Sequence, residues 1–274
     1  MATSFSSRMD ALGMKFVPVP RGSYWMGERN NQRHMQITRD FYMGVYPVTQ
    51  GQWQAIMGVN PSWFSRSSIG IENGLGPTLL LPWPNGYFSQ SGAGTDNVKG
   101  ISAAELKQFP VECVSWNDVQ GFLKSLNKRE GNSKLVYRLP TETEWEYACR
   151  GAATSQQACA FDFYFASPAN NLSTDQADFN GSTSTGSASQ GKKLNRPTKV
   201  GSYPPNCLGI YDMHGNVWEW CQDLYQSGSS ARVIRGGSWF NLGSFCTAAS
   251  RLGREPAERF NFLGFRLVAD LSRE

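Results

Sequence analysis

Val119, Phe122, Leu123 and Leu126 recur at the spacing of one helix face, so they predict an amphipathic helix with a buried side. Ser115 stands before it as the N-cap, and Asp118 sits at the third helical position, where its carboxylate can reach back to the cap. The same arrangement occurs at Thr49 and Gln52, with Trp53, Ile56 and Met57 facing inward and Gly58 supplying a left-handed stop. A third helix starts at Thr141 with Glu144 as the partner of its cap, turns Trp145 and Ala148 inward and stops at Gly151. Residues 14–28, MKFVPVPRGSYWMGE, alternate enough to predict strands around an Arg-Gly turn, and 41–50 predict a strand running into the first helix. One segment obeys neither period. In 235–251, RGGSWFNLGSFCTAASR, the large apolar residues Phe240, Leu242 and Phe245 fit no strand and no helix.

Composition sharpens this picture. The 274 residues include 9 Trp, 16 Phe, 10 Tyr and 28 Gly, which suits a loop-rich domain with an aromatic core better than a helical bundle. The net charge of +4 comes without a long basic run, so nucleic acid is not an expected partner. No stretch approaches the ~18 apolar residues of a membrane span. The opening MATSFSSRMDALGMKF has no apolar run of signal-peptide length. The six cysteines, at 113, 149, 159, 207, 221 and 246, form no CxxC, and His34 and His214 do not complete a zinc set. Mostly free, buried thiols are expected. Residues 1–13 read as an extension and 14–274 as a single domain, with an insertion at about 65–106 and a solvated low-complexity loop at 181–193.

Five ordered motifs carry a family resemblance: PVECVSWNDV (110–119), YRLPTETEWEYACRG (137–151), LGIYDMHGNVWEW (208–220), RVIRGGSW (232–239) and LGFRLV (263–268). They resemble the formylglycine-generating enzyme family, also called the sulfatase-modifying-factor domain. The resemblance implies an α+β fold of few short helices, short strands and much irregular structure, a variant of the C-type lectin fold. It does not decide function.

Within that family, formylglycine formation implies two cysteines in the segment after GGS-aromatic. Here Cys246 stands alone, with Asn241 roughly where the earlier cysteine would be. A metal or redox site built on two thiolates is therefore not expected. A second branch implies an iron-binding His/Glu site in an added helical domain, which two histidines do not supply. A third branch, the variable proteins of diversity-generating retroelements such as those of treponemes, implies a fixed frame around exchangeable positions. The frame matches Arg235 to Trp239, Cys246, Ala249, Arg251, Pro256, Arg259 and Leu263 to Arg266.

The interleaved residues are Phe240, Asn241, Leu242, Ser244, Phe245, Thr247, Ser250, Leu252, Gly253, Arg254, Glu255, Glu258, Phe260, Asn261 and Phe262. The resemblance implies that this diversified region, about 232–268, is a ligand-binding site on a rigid non-enzymatic scaffold. Phe240, Leu242, Phe245, Leu252, Phe260 and Phe262 would then form an exposed aromatic patch of the kind that marks recognition sites. The partner would be a protein or other macromolecule. The localisation implied is the cell surface, as a lipoprotein whose export signal is absent from this chain; a cytoplasmic location is the alternative. Other readings are a thiol-modifying oxidoreductase and an effector domain with an invariant site.

No cofactor is expected beyond a structural calcium, which the resemblance implies in some members at GNVWEW through Asn216, a carbonyl near Val217 and Glu219. Calcium takes six to eight oxygens, more than this motif offers. The alternative is a turn and strand, with Glu219 paired to an arginine. The acids Glu142, Glu144 and Glu146 open a helix, where its dipole favours them.

Overall fold

The computed structural model describes residues 7–10, 12–66, 94–131 and 134–271. Most of the expected insertion at 65–106 lies outside the described residues. The fold is α+β. A five-stranded sheet has the order β1 (Arg8–Met9), β2 (Lys15–Val19), β5 (Phe41–Gly44), β11 (Val268–Leu271) and β6 (Leu135–Arg138). β11 pairs antiparallel with both β5 and β6, so the last strand closes the sheet between early and middle parts of the chain.

The Arg-Gly turn is flanked by strands as expected, but they part company. β2 joins the large sheet, whereas β3 (Gly22–Met26) pairs with β4 (Arg33–Ile37) in a separate two-stranded ribbon. Asp40 helps fix that corner by accepting the Arg21 amide at 2.7 Å.

The three predicted helices form with their predicted caps. α1 (Gln50–Met57) carries the Thr49/Gln52 capping box and ends at Gly58, whose φ of 80° is left-handed. Two one-turn helices, α2 (Gly94–Asn97) and α3 (Ala103–Leu106), precede α4 (Trp116–Arg129), which buries Val119, Phe122, Leu123 and Leu126. α5 (Glu142–Cys149) begins at the Thr141/Glu144 box. Trp53 of α1 stacks on Phe122 of α4 at 5.1 Å, and Phe265 meets both rings edge-on, so two helices and the C-terminal frame share one aromatic core. Each such buried ring contributes roughly 1.5–3 kcal/mol through burial alone.

The sheet that presents the C-terminal region has the order β10 (Leu263–Gly264), β7 (Trp218–Leu224), β8 (Arg232–Arg235) and β9 (Arg251–Arg254). β10 runs parallel to β7, and the remaining neighbours are antiparallel. Loop 181–193 is mostly exposed, as expected, although Gly181 is buried.

Candidate functional site

Four arginines of the frame anchor the segment, and each meets a carboxylate. Arg235 is fully buried; it bonds Glu146 and the carbonyls of Ala248, Ala249 and Ser250. Arg251 reaches Glu142 at 2.6 and 3.1 Å and lies over the Tyr225 ring. Arg259 grips Asp118, the capping acid of α4, at 2.7 and 2.8 Å. Arg266 holds both oxygens of Glu219 at 2.7 Å and also bonds the carbonyls of Gly44 and Tyr211. Guanidinium suits this work because its planar fork satisfies a carboxylate and backbone carbonyls together. Two of the helix-opening acids are therefore partners of the frame as well as dipole residues, Glu142 of Arg251 and Glu146 of Arg235, while Glu144 holds Arg138 and Glu146 also holds Arg150. Local sequence showed only their place on the helix, because every partner but Arg138 and Arg150 lies in the C-terminal region.

Glycines let this frame close up. Gly236 and Gly237 have φ values of 98° and 75°, and a Cβ on Gly237 would lie 2.5 Å from the Cys246 sulfur. Only glycine tolerates both the conformation and the approach. Cys246 is fully buried, and burial pushes its thiol up to about 12, far from a thiolate at neutral pH. All six cysteines are unpaired and all but Cys207 are buried. His214 is a hydrogen-bonded loop residue. Its Nε2 accepts the Tyr164 amide at 2.9 Å, which leaves Nδ1 to donate to the Cys246 carbonyl at 2.7 Å.

The interleaved residues divide into two groups. Asn241 and Phe262 are 6% and 3% exposed, so neither lines an open surface, contrary to the expectation for the patch. Asn241 Oδ1 accepts from the Trp218 indole at 2.8 Å and from Ser238 at 2.6 Å, which makes it a clamp on the frame. Phe262 lies between Phe260 and Phe240 at 4.9 and 6.2 Å, and the three rings stack. Phe262 belongs to the main buried core.

The others reach solvent to differing extents. Leu242, Ser244 and Glu255 are exposed, while Phe240, Phe245, Thr247, Ser250, Leu252, Gly253, Arg254, Glu258, Phe260 and Asn261 are half-buried. Phe240, Phe245, Leu252 and Phe260 rest on the main core with part of each side chain outward. Thr247 and Ser250 share a turn, Glu258 caps the Glu255 amide, and Tyr225 covers Gly253 so closely that a Cβ there would sit 2.6 Å from its ring. The Asn261 carbonyl accepts from the Trp239 indole at 3.2 Å. The patch is thus the outward parts of Phe240 and Phe260 on either side of buried Phe262, with Trp239 against Phe240 and Phe64 against Trp239.

The residues at GNVWEW do not fit calcium. Both Glu219 oxygens are taken by Arg266, and Oε2 also accepts the Trp145 indole. Asn216 bonds the Thr198 backbone through both ends of its amide, and Val217 is buried in the core. The arrangement of Asn216, Val217 and Glu219 is that of the alternative, a turn and strand with Glu219 paired to an arginine. Among the described residues, no group of three His, Cys, Asp or Glu side chains is placed to hold a metal. No described helix is long and apolar enough to cross a membrane.

The formylglycine-generating enzyme of Mus musculus is 27% identical over 93% of this chain and 75% of its own. The inactive C-alpha-formylglycine-generating enzyme 2 of Mus musculus is 29% identical over 94% of this chain and 86% of its own. Among solved structures, Treponema denticola variable protein 1 superposes with a TM-score of 0.65 at 21% identity, over 96% of this chain and 98% of that one, and shares the fold. The description "Sulfatase-modifying factor enzyme 1-like domain" fits residues 2–271, and the chain belongs to that family.

Proposed function

We propose that this protein is a non-enzymatic ligand-binding member of its family, whose C-terminal segment is a diversified recognition surface. The observation that carries the reading is the division of labour within 235–266. Frame residues are pinned by arginines bonded to carboxylates, two of them (Arg235 and Arg266) fully buried, whereas most interleaved side chains are half-open or exposed and bear little of the frame's bonding. Such an arrangement tolerates exchange at the surface while holding the backbone still. Thiol chemistry has no support in the site, since Cys246 is buried, protonated and without a second cysteine in its segment. The family includes both active and inactive relatives, so membership alone favours neither reading.

The test is genomic and biochemical. The reading expects a near-copy of codons 232–268 beside a reverse transcriptase gene, differing from the coding copy at adenines. Invariant codons at the exposed positions across many isolates, or conversion of a sulfatase-type cysteine peptide that vanishes in Cys246→Ser, would overturn it.

A further inference from the structure

The exposed loop 181–193 is built as a wall beside the C-terminal segment. Its ends close on each other, the Gly191 amide donating to the Gly181 carbonyl at 2.9 Å, and Thr174 packs on both glycines so tightly that neither position has room for a side chain. Its middle is tied down through Thr185, whose carbonyl accepts the Leu172 amide at 3.3 Å and whose side chain fills the space beside Gly243. Just before the loop, Asn180 donates its amide to the Asn241 carbonyl at 2.8 Å and bridges to Leu242. A loop whose composition reads as merely solvated is thus fixed against 241–243, while Ser182, Thr183, Ser184, Ser187 and Ser189 stay exposed.

The stretch that holds this loop carries charge of one sign. From Phe179 to Tyr211 there is no Asp or Glu, whereas Lys192, Lys193, Arg196 and Lys199 give it +4, as much as the whole chain. The acids that bracket it, Asp178 and Asp212, are both buried. Asp175, beside Thr174, is exposed, but no ion pair among the described residues includes it or any of the four cations. Lys192, Lys193 and Lys199 are exposed. The backbone that bears them is held: the Asn195 carbonyl accepts from Asn97 at 3.2 Å, and the Val200 amide donates to the Gln108 carbonyl at 3.0 Å. That neighbouring stretch adds no net charge, since Asp96 and Glu105 match Lys99 and Lys107.

Hydroxyls and ammoniums on a rigid backbone present donors and positive charge, and an ionised carboxylate is the side chain that only accepts. Exposed cations of one sign also steer an oppositely charged partner to the surface. A bilayer fits this flank less well than a protein, because a membrane seated here would cover the 241–243 surface that the loop adjoins.

We propose that loop 181–193, with the strip to Lys199, is a fixed flank of the recognition site, and that the partner is a protein presenting an acidic surface to it. This rests on the reading of 232–268 as a binding segment. The interleaved residues supply specificity, and the flank, which lies outside the exchangeable positions, supplies a charge requirement common to every partner.

The test is selection from a randomised displayed peptide library on the full chain, followed by affinity measurement of the enriched peptides at low and high salt. Enrichment of Asp and Glu is expected, with binding that weakens as salt rises. The Lys192→Glu, Lys193→Glu variant, altered at exposed positions, should keep the parental melting curve and weaken those peptides about tenfold, chiefly through slower association. Lys192→Gln, Lys193→Gln should fall between, and it gives the reading if the Glu pair melts early. A Leu242→Ser, Ser244→Tyr variant should change which peptides are enriched while their acidity persists. Enriched peptides without acids, held equally by the parent and the Glu pair but lost in Leu242→Ser, Ser244→Tyr, would overturn the acidic partner and leave the binding segment standing. Acidic peptides lost in the Glu pair yet held unchanged by Leu242→Ser, Ser244→Tyr would overturn the shared site and count against the binding segment itself. Tighter binding to phosphatidylserine vesicles, heparin or duplex DNA than to any peptide, or no enrichment at all, would also overturn the proposal.

Discussion

The side-chain oxygen of Asn241 receives the indole N–H of Trp218 at 2.8 Å, and both residues are buried. A position that reads as part of the variable surface is thus tied to the strand beneath it. Asn241→Ala leaves that indole donor and the Ser238 hydroxyl without their acceptor. The cost should be about 1–3 kcal/mol, the desolvation penalty of an unsatisfied buried group. Asn241→Asp keeps the acceptor and should recover part of the loss. Urea unfolding of the two variants checks this; an Ala variant as stable as the parent would remove Asn241 from the frame.

Phe262 and Leu242 should respond oppositely to the same treatment. Phe262 is 3% exposed and sandwiched between two rings, so Phe262→Ala should cost about 3–5 kcal/mol. Leu242 is 37% exposed, and Leu242→Ser should stay within about 0.5 kcal/mol of the parent. The sequence alone suggests that Phe240, Leu242, Phe245, Phe260 and Phe262 could all be exchanged for Ser or Asn without unfolding the chain. The structure limits that to sets that retain Phe262. Melting curves of the five-fold variant and of one keeping Phe262 should separate the two by the cost of that ring.

Why some of this was readable and some not follows from the range of each interaction. Thr49, Ser115 and Thr141 meet their capping partners three residues away, so short patterns revealed all three helices. Glu146 meets Arg235 across 89 positions and Glu219 meets Arg266 across 47, and no local pattern encodes such pairings. Likewise, alternation identified β2 and β3 but could not assign them to different sheets. Phe262 was misplaced because burial in an aperiodic segment is set by tertiary packing and has no repeat to announce it.

His214 gives an acid-side signature. Burial pushes its imidazole from the ordinary value of 6.5 down to about 4, and the bond to the Cys246 carbonyl only partly offsets this. The unfolded chain therefore takes up the proton first. The associated stability is present above about pH 6.5 and is lost as pH falls towards 4, on the order of 3 kcal/mol in all. His214→Asn should be destabilised at pH 7, and its deficit relative to the parent should shrink as pH falls from 7 to 4. Parallel profiles for parent and variant would mean that the histidine does not titrate in this way.

Glu112 should give the opposite signature on the alkaline side. Its carboxylate accepts the Phe64 amide at 2.9 Å in a fully buried site, and burial raises it from 4.5 to about 7. Here the unfolded chain gives up its proton first. The stability is fully present below about pH 4.5 and is lost as pH rises through 7, again on the order of 3 kcal/mol. Asp212, raised to about 6 by burial, acts in the same sense, so between about pH 4.5 and 6.5 the two acids together outweigh His214 and the three groups make the parent lose stability as pH rises. Subtraction isolates the Glu112 contribution. Glu112→Gln keeps an acceptor for the Phe64 amide but cannot ionise, so its stability relative to the parent should improve from pH 4.5 to 8. Denaturant melts at three pH values across that window measure the difference. A constant difference would show that Glu112 carries the same charge in the folded and unfolded chains, and burial would not be the force governing its proton.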